Sequence, residues 1–368
     1  MTTALLPTGF RDRLPPFADA AARLEQAVLG TAYAHGYERA DPALAEFEAG
    51  LAGRLKAARA QDAVRFVDPV SQATLAIRPD MTAQIGRIAA TRMAHHPRPV
   101  RLSYAGPVLK LRASQLSPER EMRQIGCELI GRDTVAAARE IVEVVVAALA
   151  AAGVADVSID FTLPDLIDVL ASGPVPVDPA HIGALRERLD AKDAGGVAAI
   201  APAYLALIAA AGPFFEAHDR LCAFDAGGVL TSRLDALWQI ADGLKGRVAL
   251  TLDPTERHGF EYQSWLGFSI FAGGLRGEIG RGGTYTILHE DGAEEAAVGF
   301  SLYADAIVAA GLADSGRRRL FVPLGTDAAL AARMRAEGWV TVAALEAGDT
   351  PEAQLCTHVL AEGEARTV

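Results

Sequence analysis

The stretch GPVLKLRASQLSPEREMRQIGCELIG, residues 106–131, carries polar side chains at a spacing that could recognise a small ligand. It reads as two antiparallel strands joined by a long polar loop. Because side chains alternate along a strand, one face of the second strand carries Met122, Gln124, Gly126, Glu128 and Ile130, and the other carries Arg123, Ile125, Cys127 and Leu129. The second face suits packing under helices. Gly126 leaves room for a small ligand between the Gln124 amide and the Glu128 carboxylate. This predicts an amino-group pocket; the alternative is an edge strand with ordinary solvated polar residues.

The same residues resemble motif 2 of class II aminoacyl-tRNA synthetases, specifically that of histidyl-tRNA synthetase, GPxFRxERPQxGRxRxFxQxGxExxG. The patterns align without a gap and coincide at Gly106, Pro107, Gln115, Arg120, Gln124, Gly126 and Glu128. The arginine that holds the ATP α-phosphate in that family is Lys110 here. Lysine offers a mobile point charge where arginine offers a planar fork that fits phosphate. The resemblance therefore implies an ATP site that has lost an aligning group.

Two earlier segments resemble the same family in the same order. GFRDRLPP at 9–16 is similar to the opening of motif 1, and the helix predicted from Phe17 to Gly36 would form part of a dimer interface in that family. RFVDPVSQATLAIRPDMTAQIGRIA at 65–89 resembles its hairpin and LRPE-x-T segment, with Asp80 and Thr82 at positions that contact histidine. Asp80 also suits helix capping, because it stands between a strand and a helical pattern. Both roles can hold together, since a capping carboxylate at such a turn faces outward from the sheet.

HGFEYQSW at 258–265 stands where the family has its histidine-specificity signature, RGLDYYTG. Gly259 and Tyr262 match. The arginine that acts on the substrate carboxylate and the phosphate in the synthetase is His258 here, and the second tyrosine is Gln263. His258 could act as a general base, but an isolated histidine in a loop is more often a structural or surface residue.

Two further segments complete the resemblance. RGGTYT at 281–286 is similar to GGRYD, with Thr284 in place of the arginine and Tyr285 keeping the aromatic ring. AVGFSLYADAIV at 297–308 is similar to motif 3, whose ATP-binding arginine is Ala306 here. Alanine can neither stack on adenine nor meet a phosphate. The losses therefore fall on ATP handling and on carboxylate activation, while amino-acid positions remain.

This division resembles the histidyl-tRNA synthetase-like regulatory subunits of ATP phosphoribosyltransferase, the enzyme at the first step of histidine biosynthesis. The resemblance implies no catalytic residue, cofactor or metal in this chain. It implies L-histidine as effector, a short catalytic ATP phosphoribosyltransferase chain as partner, and a self-dimer within a hetero-oligomer. The predicted histidine-binding residues are Asp80, Thr82, Lys110, Gln124, Glu128, Tyr262 and Tyr285.

Two other functions stay open from the residues alone. The first is a divergent histidyl-tRNA synthetase or other amino-acid-activating enzyme, in which Lys110 and another cation replace the missing arginines; Ala306 argues against it. The second is a scaffold with a non-functional pocket, which the exchanges at His258 and Gln263 keep open.

Composition favours a protein that does not bind nucleic acid. The chain has 368 residues, 51% of them hydrophobic, and a formal net charge of −11, so it can bury a large core and hold more than one domain. RNA-binding proteins usually cluster Lys and Arg, whereas the tight basic cluster here is confined to 317–319. Cys127, Cys222 and Cys356 lie far apart without a CxxC pair, so neither a zinc site nor a disulfide framework is predicted.

The resemblance implies an α+β fold, with a class II synthetase-like antiparallel sheet flanked by helices. The predicted core spans residues 1–317 and contains a helical insertion at about 172–245. Residues 318–368 read as a small α/β unit of strand, helix, strand and a last helix-to-strand piece, which the resemblance implies is a remnant of an anticodon-binding domain.

No targeting or membrane segment is predicted. The first residues lack a basic region followed by an apolar core. Residues 194–215 carry no charge and are long enough to span a bilayer, but Gly195, Gly196, Pro202 and Pro213 divide them into shorter pieces. We therefore expect a buried helix in a soluble, cytoplasmic protein.

Overall fold

A computed structural model describes residues 6–51, 55, 63–111, 119–225, 227–257, 259, 262–275, 277–311 and 318–368. The predictions for Gln115 and His258 lie outside these residues. The chain divides into two compact units, Met1–Ala313 and Asp314–Val368. Their helices are α1 (Phe17–Ala34), α2 (Glu48–Leu51), α3 (Thr82–Thr91), α4 (Val135–Ala151), α5 (Leu166–Ala171), α6 (Pro179–Asp190), α7 (Ala194–Ile200), α8 (Leu205–Ala209), α9 (Phe214–Phe224), α10 (Thr231–Asp242), α11 (Ala304–Ala309) and α12 (Ala328–Ala336).

The strands form three sheets. They are β1 (Glu38–Arg39), β2 (Ala45–Phe47), β3 (Val64–Val67), β4 (Thr74–Ile77), β5 (Val100–Leu109), β6 (Glu121–Ile130), β7 (Val157–Thr162), β8 (Gly212–Pro213), β9 (Ala249–Leu252), β10 (Gln263–Ala272), β11 (Gly280–Leu288), β12 (Glu294–Tyr303), β13 (Arg319–Val322), β14 (Val340–Ala343), β15 (His358–Ala361) and β16 (Glu364–Thr367).

The large sheet carries the site. Its strand order is β1-β5-β6-β12-β11-β10-β7-β9-β8. The long central strands from β5 to β7 all pair antiparallel, while β1 and β9 join as short parallel strands. The predicted α+β class with a mainly antiparallel sheet is therefore confirmed.

The two faces of β6 differ as predicted. Ile125, Cys127 and Leu129 join the main core with residues of α1 and α4. Helix α4 is capped by Thr134, whose hydroxyl accepts a hydrogen bond from the backbone N–H of Ala137 at 3.2 Å, as an N-cap residue does. Its Ala, Val, Ile and Leu side chains then give it a buried face against the sheet. On the other face of β6, Met122 and Ile130 join a separate cluster that includes α3 residues. Helices α1 and α4 therefore cover one face of β6, while the other face carries Gln124 and Glu128 between apolar residues that pack with α3.

A second sheet, of order β2-β4-β3, precedes α3. The predicted hairpin at 65–89 is therefore confirmed, with β3 and β4 antiparallel and α3 following. The polar turn after β4 brings Asp80 against β6, where Nε2 of Gln124 donates a hydrogen bond to its carboxylate.

The predicted insertion at about 172–245 is mainly helical and contains α6 to α10. The prediction of a single buried helix over the uncharged run 194–215 is wrong. The run forms α7, a 3-10 turn at Pro202–Tyr204, α8 and the short strand β8, because Pro202 and Pro213 cannot continue a helix. No helix in the described parts of the chain is both long enough and apolar enough to span a membrane.

In the C-terminal unit, β13 and β14 are parallel and are connected through α12. Strand β15 also pairs parallel with β13, and β16 pairs antiparallel with β15. The helix predicted before the last strand is wrong, because residues 351–355 form turns. Leu355 has a φ of 53°, which an α-helix does not allow.

Candidate functional site

Glu128 is the centre of the polar face of β6. The residue is 1% exposed, and each of its carboxyl oxygens accepts a hydrogen bond from a tyrosine. The hydroxyl of Tyr104 on β5 donates to Oε1 at 2.9 Å, and the hydroxyl of Tyr285 on β11 donates to Oε2 at 2.8 Å. Strands on both sides of β6 therefore fix the carboxyl group in one orientation.

Burial sets the protonation of this group. Desolvation raises the pKa of Glu128 from 4.5 to about 8, while the hydrogen bonds from Tyr285 and Tyr104 act in the opposite direction. The nearby Asp80 carboxylate adds to the increase. Burial also raises the pKa of both tyrosines well above the ordinary value, so their hydroxyls remain donors. Glu128 is therefore a carboxyl group poised to ionise when a cation approaches.

This shift predicts how stability depends on pH in Glu128→Gln. The folded protein holds the Glu128 proton up to about pH 8, whereas the unfolded chain releases it near pH 4.5. The wild type therefore loses stability as pH rises through this window, by at most about 1.4 kcal/mol per pH unit. Glutamine does not titrate, so the variant should gain stability relative to wild type between pH 5 and 8. Urea unfolding at several pH values measures this difference. A difference independent of pH would show that the Glu128 pKa is not raised.

Asp80 lies at the strand-to-helix turn, as the capping prediction expected. Its Oδ1 accepts a hydrogen bond from the backbone N–H of Thr82 at 2.7 Å, at the first turn of α3. Its Oδ2 accepts from Nε2 of Gln124 at 2.8 Å. The carboxylate is thus tied to the helix on one side and to β6 on the other.

Gln124 holds the Asp80 carboxylate in position. Its Oε1 accepts a hydrogen bond from the backbone N–H of Met81 at 3.0 Å, and its Nε2 also donates to the hydroxyl of Ser301 at 2.7 Å. The side chain is therefore committed at both ends to protein partners. The expectation that Gln124 takes the ammonium group of a ligand needs correction, because the geometry makes it a positioning residue for Asp80.

The space above Gly126 is filled, contrary to the sequence expectation. A Cβ atom at this glycine would lie 2.4 Å from the hydroxyl of Tyr104. Tyr104 reaches across Gly126 to Glu128, and its hydroxyl also lies 3.0 Å from Oγ of Ser301. The glycine therefore admits a tyrosine of the protein rather than a ligand. Tyr104 itself was missed because an aromatic residue in an apolar strand predicts core packing.

A small cavity adjoins these groups. Its volume is about 20 Å³, about the space that one water molecule needs. The predicted residues that line it are Asp80, Thr82, Glu128, Tyr262 and Tyr285. Gln263, Arg281 and Tyr303, which were not predicted as site residues, also line it. A larger ligand such as an amino acid therefore requires movement of the lining side chains.

Gln263 contributes an unusual feature to this cavity. Its Oε1 is buried and has no hydrogen-bond partner among the described residues. Buried polar atoms are nearly always paired in native proteins. An N–H donor placed in the cavity would satisfy this oxygen.

Lys110 is not brought together with the other predicted residues. It lines a neighbouring cavity of about 720 Å³, together with Ala306. The two positions that the sequence assigned to ATP contacts therefore share one cavity, separate from that of Glu128. Arg281 and Tyr303 line both cavities and mark where they meet.

The charges around the larger cavity do not suit a triphosphate. The acidic residues that line it in the described structure are Glu119, Asp160, Glu256, Glu278 and Asp305, and the basic ones are Arg11, Lys110 and Arg281. Asp305 also accepts a hydrogen bond from Nε of Arg13 at 2.7 Å. Phosphates are bound by arginine forks, lysines and metal ions. Within the described ranges, no three His, Cys, Asp and Glu side chains converge to hold a metal ion.

Comparison with known sequences gives consistent results. Residues 9–307 match the family model described as histidyl-tRNA synthetase. The chain is 42% identical to a protein of Rhodospirillum centenum over 99% of this chain and 96% of that relative. It is 40% identical to a protein of Paramagnetospirillum magneticum over 97% of this chain and 96% of that relative. Both relatives bear the name ATP phosphoribosyltransferase regulatory subunit.

Solved structures support the fold. An ATP phosphoribosyltransferase regulatory subunit/histidyl-tRNA synthetase from Bacillus halodurans C superimposes with a TM-score of 0.78 and 22% identity, covering 96% of each chain. A histidyl-tRNA synthetase from Nostoc superimposes with a TM-score of 0.77 and 14% identity, covering 98% of this chain and 91% of the other. The chain thus has the fold of these histidyl-tRNA synthetase-like structures.

Proposed function

We propose that this chain, which belongs to the family of ATP phosphoribosyltransferase regulatory subunits, is the non-catalytic partner of a separate catalytic ATP phosphoribosyltransferase chain and makes that enzyme sensitive to L-histidine. The observation that carries the ligand assignment is the cavity at Glu128. It combines a buried ionisable carboxyl group, the Asp80 carboxylate and the unpaired oxygen of Gln263. These groups suit a small molecule that carries one cation and further N–H donors.

L-histidine meets these requirements. Its ammonium group would pair with Glu128 and Asp80, and one of its N–H groups would satisfy Oε1 of Gln263. Ionisation of Glu128 on binding would turn a neutral hydrogen bond into a charge-assisted one, which contributes about 1.5 to 3 kcal/mol. The aromatic rings of Tyr262 and Tyr285, with centroids 6.1 Å apart, give the same cavity an apolar wall for an imidazole.

The absence of catalysis is supported by the larger cavity. Forming an aminoacyl-adenylate requires aligned phosphates and stabilisation of developing negative charge. Lys110 and Ala306 stand at the positions where such groups would act, and carboxylates outnumber basic residues among the described residues that line the cavity. A divergent amino-acid-activating enzyme is the second candidate, and Lys110 is the residue that favours it.

We therefore expect no histidine-dependent ATP–pyrophosphate exchange above the level of a sample without protein. The physical reason is that Ala306 supplies no cation and Lys110 offers no planar fork. Radiolabelled pyrophosphate incorporation into ATP, with and without histidine, measures it. Lys110→Ala serves as the matched control, because a real exchange activity should fall in this variant. Exchange that rises with histidine and falls in that control would support the activating enzyme.

Sensing also requires two states of the assembly. Histidine must bind them with different affinity, and a coupling free energy of roughly 1 to 3 kcal/mol would change activity about 5- to 150-fold.

We further propose that the chain self-associates within the complex, acts in the cytoplasm and does not bind tRNA. We also assign residues 1–317 to the synthetase-like core and 318–368 to an anticodon-binding-type remnant. The net charge of the whole chain, −11, argues against a nucleic-acid partner.

Complex formation tests the partnership. Each chain is purified separately, mixed with the other, and analysed by sedimentation velocity with and without histidine. We expect a species heavier than either component. Independent sedimentation at all concentrations would remove the partnership from the proposal.

A further inference from the structure

Arg281 is the only basic residue among the described residues that line the small cavity. It lies on β11, four residues before Tyr285. Its Nε donates a hydrogen bond to Oε1 of Glu278 at 3.0 Å, and its Nη2 contacts the same oxygen. The side chain is 21% exposed. Glu278 thus holds a largely buried guanidinium group at the edge of the cavity.

We propose that Arg281 receives the carboxylate of the ligand, an inference that rests on the proposed binding of L-histidine at Glu128. Glu128 and Asp80 suit an ammonium group, but they repel the carboxylate of an amino acid. A zwitterion therefore needs a cation at the opposite end of its site. A guanidinium group fits a carboxylate through two parallel N–H donors. Arg281 supplies that group, and the sequence did not predict it.

Gly259 makes room for this side chain. A Cβ atom at Gly259 would lie 1.4 Å from Nη1 of Arg281, so any other residue would displace the guanidinium group. Gly259 also has a φ of 82°, which glycine adopts at little cost. The backbone at Gly259 and the β11 side chain therefore approach closely, although the two residues are far apart in the chain.

Arg281 also stands between the two cavities. It lines both the cavity of about 20 Å³ and the one of about 720 Å³. Because the smaller cavity is too small for an amino acid, histidine must displace side chains at its boundary. A long, flexible arginine at that boundary can move aside and then pair with the carboxylate. This geometry places the amino end at Glu128 and the carboxylate toward the larger cavity.

The test compares two ligands on matched variants. L-histidinol keeps the ammonium and imidazole groups but carries a hydroxymethyl group in place of the carboxylate. We expect the wild type to bind histidine at least about tenfold more tightly than histidinol. Arg281→Met should weaken histidine about 10- to 100-fold and change histidinol less than about threefold. Gly259→Ala should reproduce the loss by displacing Arg281. Calorimetric titration measures all the affinities.

Two further variants control for misfolding and for the general effect of removing an ion pair. Arg281→Lys retains the charge and should recover part of the preference, and it carries the test if Arg281→Met does not fold. Arg123→Met is the matched control, since Arg123 forms a similar ion pair with Glu25 on the other face of the sheet. It should leave histidine affinity unchanged. Equal losses of both ligands in Arg281→Met and Arg281→Lys, or an undiminished preference for histidine, would overturn the proposal. A wild type that binds neither ligand would instead refute the proposed function.

Discussion

Glu128→Gln is expected to weaken histidine binding by about 10- to 150-fold, because it removes a charge-assisted hydrogen bond of about 1.5 to 3 kcal/mol. The substitution preserves the shape of the side chain and can keep hydrogen bonds to Tyr104 and Tyr285. It removes the ability to ionise against the ligand ammonium group. Calorimetric titration with L-histidine at constant pH measures the change.

Glu140→Gln provides the matched control for this prediction. Glu140 also accepts a hydrogen bond from a tyrosine, Tyr37, at 2.9 Å, but it lies on α4 and pairs with Arg101. The Glu140→Gln variant should leave histidine affinity unchanged. Equal affinities for the wild type and Glu128→Gln would place the histidine site elsewhere. A wild type without measurable binding would favour the scaffold with a non-functional pocket.

Local sequence patterns predicted the strand and the turn that position this site. The alternation along 121–130 separated the two faces of β6. The structure confirms that Ile125, Cys127 and Leu129 pack under helices and that Gln124 and Glu128 lie on the opposite face. The strand-to-helix turn at Asp80 was also predictable, because its capping bond to Thr82 depends on residues next to each other in the chain. These features rest on short-range geometry that a sequence displays directly.

Register explains why Lys110 lies apart from the other predicted site residues. The backbone N–H of Lys110 bonds to the carbonyl of Arg120, while Glu128 lies eight residues further along β6. At about 3.4 Å per residue, this separates the two positions by roughly 27 Å along the strand. The hairpin pairing alone therefore keeps the two residues too far apart to contact one small ligand together. The motif resemblance grouped the two residues although they belong to different parts of a larger substrate site.

Arg281 and Gln263 were not predictable for a different reason. Each is defined by long-range contacts, between Arg281 and the backbone of Gly259, and between Gln263 and the strand that carries Tyr285. Single polar residues at the ends of strands give no periodic signal. The sequence shows an arginine immediately before Gly282 and an amide at Gln263 in place of the family's second tyrosine, but neither local pattern predicts a contact with the cavity.

The second large effect is expected in the catalytic partner. This chain should raise the activity of a short ATP phosphoribosyltransferase chain, and histidine should then reduce that activity about 5- to 150-fold. The reason is that a site able to hold an end product, next to a cavity unsuited to ATP, can bias the assembly between two states without consuming the ligand. Glu128→Gln should still activate the partner but should require correspondingly more histidine for inhibition.

The rate of phosphoribosyl-ATP formation tests the central claim most directly. It is measured for the catalytic chain alone, with this protein, and with this protein plus L-histidine. We predict a low rate in the first sample, a higher rate in the second, and a fall toward the first in the third. A rate and a histidine response that do not change when this protein is added would contradict the regulatory function.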